Sequence, residues 1–305
     1  MRASPYGAIA LAVVSVSFSA IFISWSESPF VTIALYRLAI ASLILSPVVL
    51  LDRGRPLAGI ARKDLLVMMG VGGILATHFT LWIGSLKIEA VNVAVASSVI
   101  LVTSHPLLVG VLSHFVLRER LNAWMAIGIA LGFSGVIVIA VADSGARSAS
   151  GIGDLLAFLG GVAAGFYFLL GRTLRQRIPL LAYAFVVYVS ATAFLFLYAL
   201  VLGASLTPTG DVPREMALFL AMAVIPQIGG HTLYNWSLRW VPAPVVSLSL
   251  VGEPIGSSLL AWALLSQTPG IAVGIGGALA LAGIYLTVMG QGARTRETIA
   301  ARDVE

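Results

Sequence analysis

The chain has 305 residues, of which 59% are hydrophobic and only 10% are charged, and its mean hydropathy is +1.01. Too few polar side chains are present to cover a water-facing surface of this size, which excludes a soluble enzyme, a nucleic-acid binder and a disordered segment. The net charge of +5 comes largely from cations in loops between apolar runs, and these indicate topology rather than a nucleic-acid partner. The chain contains no cysteine, which excludes disulfides, thiolate metal sites and cysteine nucleophiles.

Ten apolar runs are long enough for an α-helix to cross a hydrocarbon core, which takes about 17–25 residues. They cover residues 6–25, 29–51, 64–86, 90–117, 122–142, 151–171, 178–202, 215–238, 242–265 and 269–289. The runs are continuously apolar, whereas barrel strands would alternate, so we predict an all-α integral membrane protein. Hydrophobicity resumes soon after the first run, which we therefore interpret as an uncleaved span rather than a signal peptide.

The Lys and Arg residues near the span ends predict the orientation, because cytoplasmic loops are enriched in these residues. With a cytoplasmic N-terminus, 14 of them fall on the inner side and 3 in outer loops, and Arg37 alone lies inside a span. We therefore predict a multi-pass protein of the cell inner membrane with both termini in the cytoplasm.

The two halves of the chain repeat. Residues 78–87, HFTLWIGSLK, align with residues 230–239, GHTLYNWSLR, and an offset of 148 carries His105-Pro106 onto Glu253-Pro254. Because each copy holds an odd number of spans, the second copy is inverted in the membrane. The predicted fold is thus ten transmembrane helices in two inverted five-helix repeats. The first repeat covers 1–142 and the second covers 151–290, with a periplasmic linker at 143–150 and a cytoplasmic tail at 291–305.

Residues 90–140 carry a resemblance to a known family. This segment resembles the carboxy-terminal half of an EamA repeat in four features. They are an apolar helix with scattered polar residues, a central Pro, the closing run Glu119-Arg120-Leu121 and a helix with a Gly-x6-Gly pattern. The second copy is similar in the same order, but it ends at Leu265-Ser266-Gln267 and lacks the acidic residue. The resemblance implies the drug/metabolite transporter superfamily, in which substrate passes through a central cavity between the repeats.

Ionisable residues inside predicted spans are candidate functional residues, because burying a charge at the centre of a membrane helix costs about 2.5–3.5 kcal/mol. Glu253 lies near the middle of the ninth run, on one helical face with Ser249, and His105 occupies the equivalent position in the first repeat. Each precedes a proline, Pro106 or Pro254, which should kink the helix and free a backbone carbonyl four residues earlier. The alternative is a structural carboxyl and two plain kinks.

Two further helices carry polar and aromatic candidates. His78 and Trp82 share a face of the third run, and His231 and Asn235 share a face of the eighth, beside Tyr234. Tyr167 of the sixth run is the remaining aromatic candidate. The alternative is that the histidines only donate interhelical hydrogen bonds. Arg37 could bind an anionic group, or it could snorkel or pair with a neighbouring carbonyl, and we favour the structural role. Glycines of runs five and ten should form packing faces: Gly128, Gly132, Gly135, Gly270, Gly274 and Gly277.

These residues predict a secondary transporter that moves small metabolites, most of all amino acids including aromatic ones, by alternating access through a central cavity. Neutral hydroxyls, imidazoles, one carboxyl and aromatic rings suit a zwitterion, whereas a carrier of phosphorylated solutes would need cations in the cavity. We expect a monomer in the lipid bilayer with a small-molecule substrate, no metal, no other cofactor and no catalytic residues. The alternatives left open are a proton-coupled drug/metabolite antiporter, a channel, and a membrane enzyme.

Overall fold

The computed structural model describes residues 4–51, 57, 59–90, 93–107, 111, 122–146, 150–175, 177–237, 249–250 and 252–302. Throughout these ranges the regular structure is helical and contains no strand. The helices are α1 (Pro5–Ser17), α2 (Ser19–Trp25), α3 (Phe30–Leu51), α4 (Arg62–Lys87), α5 (Val95–Val102), α6 (Ala123–Ala146), α7 (Ser150–Arg175), α8 (Leu180–Val201), α9 (Val212–Met222), a π-helix (Ala223–Thr232), α10 (Leu233–Ser237), α11 (Gly252–Leu265) and α12 (Ile271–Arg302).

Eight of the ten predicted spans are present among the described residues as helices long and apolar enough to cross a membrane. They are Tyr6–Trp25, Phe30–Val49, Arg62–Lys87, Ala123–Ala142, Gly151–Arg175, Leu180–Val201, Val212–Ser237 and Ile271–Gly290. The predicted spans 90–117 and 242–265 are described only in part, as Val95–Leu107 and Gly252–Leu265. The all-helical membrane fold is therefore confirmed, and the number ten stays a prediction.

Helices occupy most of the predicted linker and tail. α6 continues to Ala146 and α7 begins at Ser150, so between these two helices only residues 147–149 lie outside the described part. The prediction of 143–150 as a linker named no secondary structure, and the helical residues 143–146 and 150 leave it a prediction. α12 likewise runs through Arg302, well into the predicted tail 291–305.

The helix contacts between the two halves occur in matching pairs. α4 of the first half packs on α7 of the second, and the π-helix of the second half packs on α1 of the first. α5 contacts α7 just as α11 contacts α1. Three further pairs, α3 with α8, α5 with α11 and α6 with α12, each join elements at equivalent positions of the two halves. The set of contacts is therefore the same when each helix is replaced by its equivalent in the other half, as expected for two similar repeats that pack on each other.

Glycines bring α6 and α12 into backbone contact. A Cβ at Gly128 would lie 2.6 Å from the Thr287 backbone nitrogen and 2.7 Å from the Gly283 carbonyl oxygen. The prediction placed packing glycines of the last span at Gly270, Gly274 and Gly277. It was wrong for Gly270 and Gly274, because no atom of the described residues lies within 4 Å of a Cβ built there, whereas Gly277 packs against Ile100 of α5. The contacting glycines are seven residues apart, which is two helical turns on one face: Gly128, Gly135, Gly276, Gly283 and Gly290.

A buried carboxylate joins the two halves at the end of the molecule where α2 meets α9. Glu215 of α9 is 1% exposed. Its carboxylate accepts hydrogen bonds from the Ser26 hydroxyl at 2.5 Å, the Ser28 hydroxyl at 2.7 Å and the Glu27 backbone N–H at 2.8 Å. Lys87 donates to the Ser26 carbonyl at the same place. The connection between α2 and α3 is thereby fixed to the second half.

Replacing Glu215 should destabilise the protein much more than replacing its neighbour Glu27. Glu215→Ala removes the acceptor of three buried donors, which we expect to cost about 2–3 kcal/mol. Glu27→Ala removes only an exposed ion pair with Arg214, whose two side chains are 57% and 48% exposed, so its effect should stay below about 1 kcal/mol. Thermal unfolding of both variants in the same detergent tests this difference. Equal melting temperatures would show that the Glu215 hydrogen bonds contribute little.

Candidate functional site

A partly open cavity lies among the helices where the two halves meet, and the space not filled by protein atoms there, open solvent included, is about 480 Å³. Its walls come from α1, α4, α5 and the turn after it, α7, the π-helix, α10 and the start of α11. The lining residues are Val16, Leu75, His78, Trp82, Val102, Thr103, His105, Ala164, Tyr167, Phe168, His231, Tyr234, Leu250 and Glu253. The structure thus brings seven of the nine predicted binding residues to one cavity, and both halves contribute to it.

Both predicted proline kinks coincide with short interruptions of helical geometry among the described residues. α5 ends at Val102, Thr103 and Ser104 form a turn, and helical geometry resumes at His105. In the second half the chain turns at Leu250, and α11 begins at Gly252. Each proline therefore sits in the first turn after a break, where its missing N–H costs least. His105 and Glu253 each lie directly before the proline at such an interruption, as the alignment of the two copies had predicted.

The carbonyls predicted to be freed by the two prolines already have partners. The Leu250 carbonyl accepts a hydrogen bond from the Glu253 backbone N–H at 3.1 Å. The Val102 carbonyl lies 3.4 Å from the Nδ1 of His105. Each partner belongs to the residue three positions further along the chain. The polar side chains that line the cavity are consequently Glu253, the three histidines and the hydroxyl-bearing Thr103, Tyr167 and Tyr234.

His78 and Trp82 form one wall of the cavity on α4. The Nδ1 of His78 lies 2.8 Å from the Gly160 carbonyl oxygen of α7. A carbonyl can only accept, so Nδ1 carries the proton, and in the neutral ring Nε2 is left as an acceptor. The ring stacks on Trp82 with centroids 5.9 Å apart. The prediction of a shared His78–Trp82 face is confirmed, and the carbonyl fixes the orientation of the imidazole.

His105 and Tyr167 stand on either side of Phe168. The rings of His105 and Phe168 stack at 5.0 Å with an interplanar angle of 20°, and Tyr167 meets Phe168 edge-on at 5.1 Å. Asn235 does not line the cavity. Its side-chain nitrogen donates to the Tyr167 hydroxyl at 3.3 Å and to the His231 carbonyl at 2.9 Å, so it positions a lining residue. Aromatic surfaces of both halves thus surround the space.

A π-helix that the sequence did not predict carries His231 to the cavity. It spans Ala223–Thr232, contains Pro226, and continues directly into α10 with Tyr234. π-helical turns are rare and occur frequently at functional sites. Pro226 followed by two glycines was the available signal, because a proline inside a helix removes a backbone donor and disturbs the local hydrogen bonding. Ser249 does not line the cavity, but its side chain interacts with the Tyr234 hydroxyl.

Arg37 is fully buried behind the cavity wall, in the middle of α3. Its Nε donates to the Gln227 side-chain oxygen at 2.9 Å, and one terminal nitrogen donates to the Ser19 hydroxyl at 2.8 Å. The guanidinium lies 4.3 Å from the centre of the Phe79 ring, at cation–π distance. The sequence singled out this residue as the only cation inside a span, but it gave no partner for it.

Among the residues whose placement is described, no group of three or more His, Asp or Glu side chains is arranged to hold a metal ion. The cavity instead combines one carboxyl group, three imidazoles and aromatic faces, a set that can bind a small organic solute by hydrogen bonds and packing. Two similar helical repeats around such a cavity are the architecture typical of membrane transporters of small molecules.

The chain belongs to the EamA-like transporter family, which matches residues 4–141 and 151–289. This family lies in the drug/metabolite transporter superfamily, as the resemblance of residues 90–140 had indicated. The two matched segments correspond to the two repeats, and the interval between them contains the short connection from α6 to α7.

Named relatives are themselves described only as transporters. The uncharacterized transporter YetK of Bacillus subtilis (strain 168) is 26% identical over 195 residues, which are 62% of this chain and 58% of YetK. An uncharacterized transporter of Archaeoglobus fulgidus is 28% identical over 260 residues, covering 85% of this chain and 88% of the relative. A solved crystal structure superposes with a TM-score of 0.63 at 21% identity, over 95% of this chain and 98% of the other, and shows the fold alone.

Proposed function

We propose that this protein is a secondary transporter of amino acids, aromatic ones included, and that the solute occupies the cavity between the two repeats. The observation that carries the proposal is the convergence of Glu253, His105 and Tyr167 on one cavity from opposite halves of the chain. A transport site has to be reached from both repeats, since relative movement of the repeats exposes it to each side of the membrane in turn.

The residues that line the cavity suit the ammonium group, the carboxylate and the aromatic side chain of an aromatic amino acid. The Glu253 carboxylate is an acceptor for the ammonium group, and hydrogen bonds between charged groups are the stronger ones. The Nδ1 of His231 has no hydrogen-bond partner among the described residues, so in the Nδ1–H tautomer it is available as a donor toward a carboxylate. The rings of Trp82, Phe168 and other lining aromatics offer faces against which an aromatic side chain packs.

The competing classes make different demands on the cavity. A phosphorylated solute would need cations in direct contact, whereas the described lining residues include no Lys or Arg. A membrane enzyme would need a nucleophile beside its base near a leaflet surface, and Glu253 and the histidines instead come from several helices around a central cavity. Proton coupling through Glu253 is the alternative mechanism for the same solute class.

The proposal includes an inverted second repeat with both termini in the cytoplasm, supported by the distribution of Lys and Arg over the inner and outer loops. The loop between α8 and α9 should then face the periplasm. A cysteine introduced at Thr207, which is exposed in that loop, should react in intact cells with a reagent that cannot cross the membrane. Labelling that required permeabilised cells would reverse the orientation.

Reconstituted protein tests the function directly. Uptake of phenylalanine into proteoliposomes should exceed that of protein-free vesicles, and internal unlabelled phenylalanine should accelerate it, because counterflow distinguishes a carrier from a channel. Accumulation above equilibrium only under an imposed pH gradient would support the proton-coupled alternative. Transport of sugar phosphates without any amino acid would contradict the proposed substrate class.

A further inference from the structure

The cavity has a fixed positive charge close behind its wall. Arg37 is fully buried, and a guanidinium keeps its proton in proteins, so the positive charge is permanent. The ion pairs among the described residues are Arg177–Asp64 and Arg214–Glu27, so no described carboxylate is bonded to Arg37. One terminal nitrogen, Nη2, has no hydrogen-bond acceptor among these residues.

Packing connects this guanidinium to the cavity through a single intervening side chain. The guanidinium lies over the Phe79 ring. The same Phe79 ring makes an edge contact with the His231 ring, with the ring centroids 5.9 Å apart. His231 lines the cavity. The charge of Arg37 also interacts electrostatically with Glu253, which lines the cavity from α11. An unpaired charge in a poorly polarisable interior acts over a longer distance than the same charge would in water.

We propose that Arg37 is a specificity-determining residue that gives the cavity its preference for solutes carrying a carboxylate. This inference rests on the proposed function, since it takes the cavity as the route of the solute. Arg37 acts through space rather than by direct contact: its charge attracts the carboxylate of a zwitterion and repels an amine that lacks one. Arg37 and Glu253 carry opposite charges. The positive charge of Arg37 is complementary to the carboxylate of an amino acid, and the negative charge of Glu253 is complementary to its ammonium group.

A structural role is the competing explanation, because the hydrogen bond from Arg37 to Gln227 also holds the π-helix against α3. The two roles differ in what a substitution changes. Loss of this hydrogen bond should slow the transport of every solute to the same extent. Loss of the charge should change the ratio between two solutes that differ only in their carboxylate, and Arg37→Lys should retain most of this ratio because it retains the charge.

Phenylalanine and phenethylamine are a suitable pair, since they share the ring and the ammonium group and differ in the carboxylate. Their transport rates should be compared in wild-type protein, Arg37→Met and Arg37→Lys. We expect Arg37→Met to lower the ratio of phenylalanine to phenethylamine transport by about tenfold, the size expected for a charge interaction across one intervening side chain at an effective dielectric constant of about 20. Lys87→Met is the matched control, because it removes a half-buried cation at the end of α4 that does not line the cavity.

The inference would be overturned if Arg37→Met slowed phenylalanine and phenethylamine equally. It would also be overturned if Arg37→Lys changed the ratio of the two transport rates as much as Arg37→Met does. The same ratio should be measured by the protection that each solute gives to a cysteine at Ala164 against a thiol reagent. If the protein with Arg37 intact binds phenylalanine without transporting it, the proposed function is contradicted. The effect of Arg37 on the preference for phenylalanine over phenethylamine can then still be measured by cysteine protection. Wild-type protein that binds neither solute would contradict both.

Discussion

Glu253→Gln should lower the transport rate of phenylalanine by about ten- to a hundredfold while the protein remains folded. The substitution keeps the shape of the side chain and removes its negative charge, so the ammonium group loses a charge-assisted hydrogen bond worth about 1.5–3 kcal/mol. Because Glu253 faces the cavity at the start of α11 and forms no ion pair among the described residues, the fold does not depend on its charge. Flux into proteoliposomes, divided by the amount of folded protein, gives the result.

Ser257→Ala is the matched control for this experiment. Ser257 lies one turn further along α11 and is fully buried, and its hydroxyl donates to the Ser17 carbonyl of α1 at 3.0 Å. It does not line the cavity, so its loss should affect stability and leave flux per folded molecule near the wild-type value. If Glu253→Gln instead lowers the melting temperature and transports normally per folded molecule, Glu253 is a structural carboxyl.

Gly283→Leu should prevent stable folding, whereas the same change at Gly274 in the same helix should be tolerated. A Cβ at Gly283 would collide with the backbone of Gly132 and the carbonyl of Gly128, and no flexible side chain can move aside. Separating two helices that touch through their backbones exceeds the ordinary cost of overpacking, which is about 1–3 kcal/mol. Gly274 is exposed, and none of the described residues has an atom within 4 Å of its Cβ position.

The yield of monodisperse protein and its melting temperature in detergent are the measurements for this pair. We expect little folded Gly283→Leu protein and a nearly unchanged yield for Gly274→Leu. A smaller substitution, Gly283→Ala, should give folded protein of intermediate stability, since a single methyl group requires a smaller separation of α6 from α12. Normal stability of Gly283→Leu would mean that the backbone contact of α6 with α12 is not needed for the fold.

The sequence predicted the parts of this protein that depend on hydrophobic length and on repetition. Eight spans appear among the described residues close to the predicted boundaries, because the cost of burying polar backbone and side chains restricts where a helix can cross a bilayer. The equivalence of His105 with Glu253 followed from the alignment of the two copies. Both residues line the same cavity, as repeat symmetry had suggested.

Features that depend on contacts between distant segments were not predictable from one sequence. The buried partners of Glu215 are nearly 190 positions away along the chain, and Gln227, which binds Arg37, is similarly distant. Gln267 is a further example. The sequence showed only that this residue replaces the glutamate of the first repeat, whereas the structure shows its side-chain oxygen accepting from the Val95 backbone N–H of the other half at 3.1 Å.

The central claim is that the cavity between the repeats binds the transported amino acid, and protection of a cavity cysteine tests it most directly. The chain contains no cysteine, so Ala164→Cys introduces a single thiol into the cavity wall with little change of volume. Phenylalanine should slow its reaction with a water-soluble thiol reagent at concentrations that also saturate transport, and should leave a cysteine at exposed Thr207 unaffected. Saturable phenylalanine transport without protection of the Ala164→Cys thiol would contradict the claim.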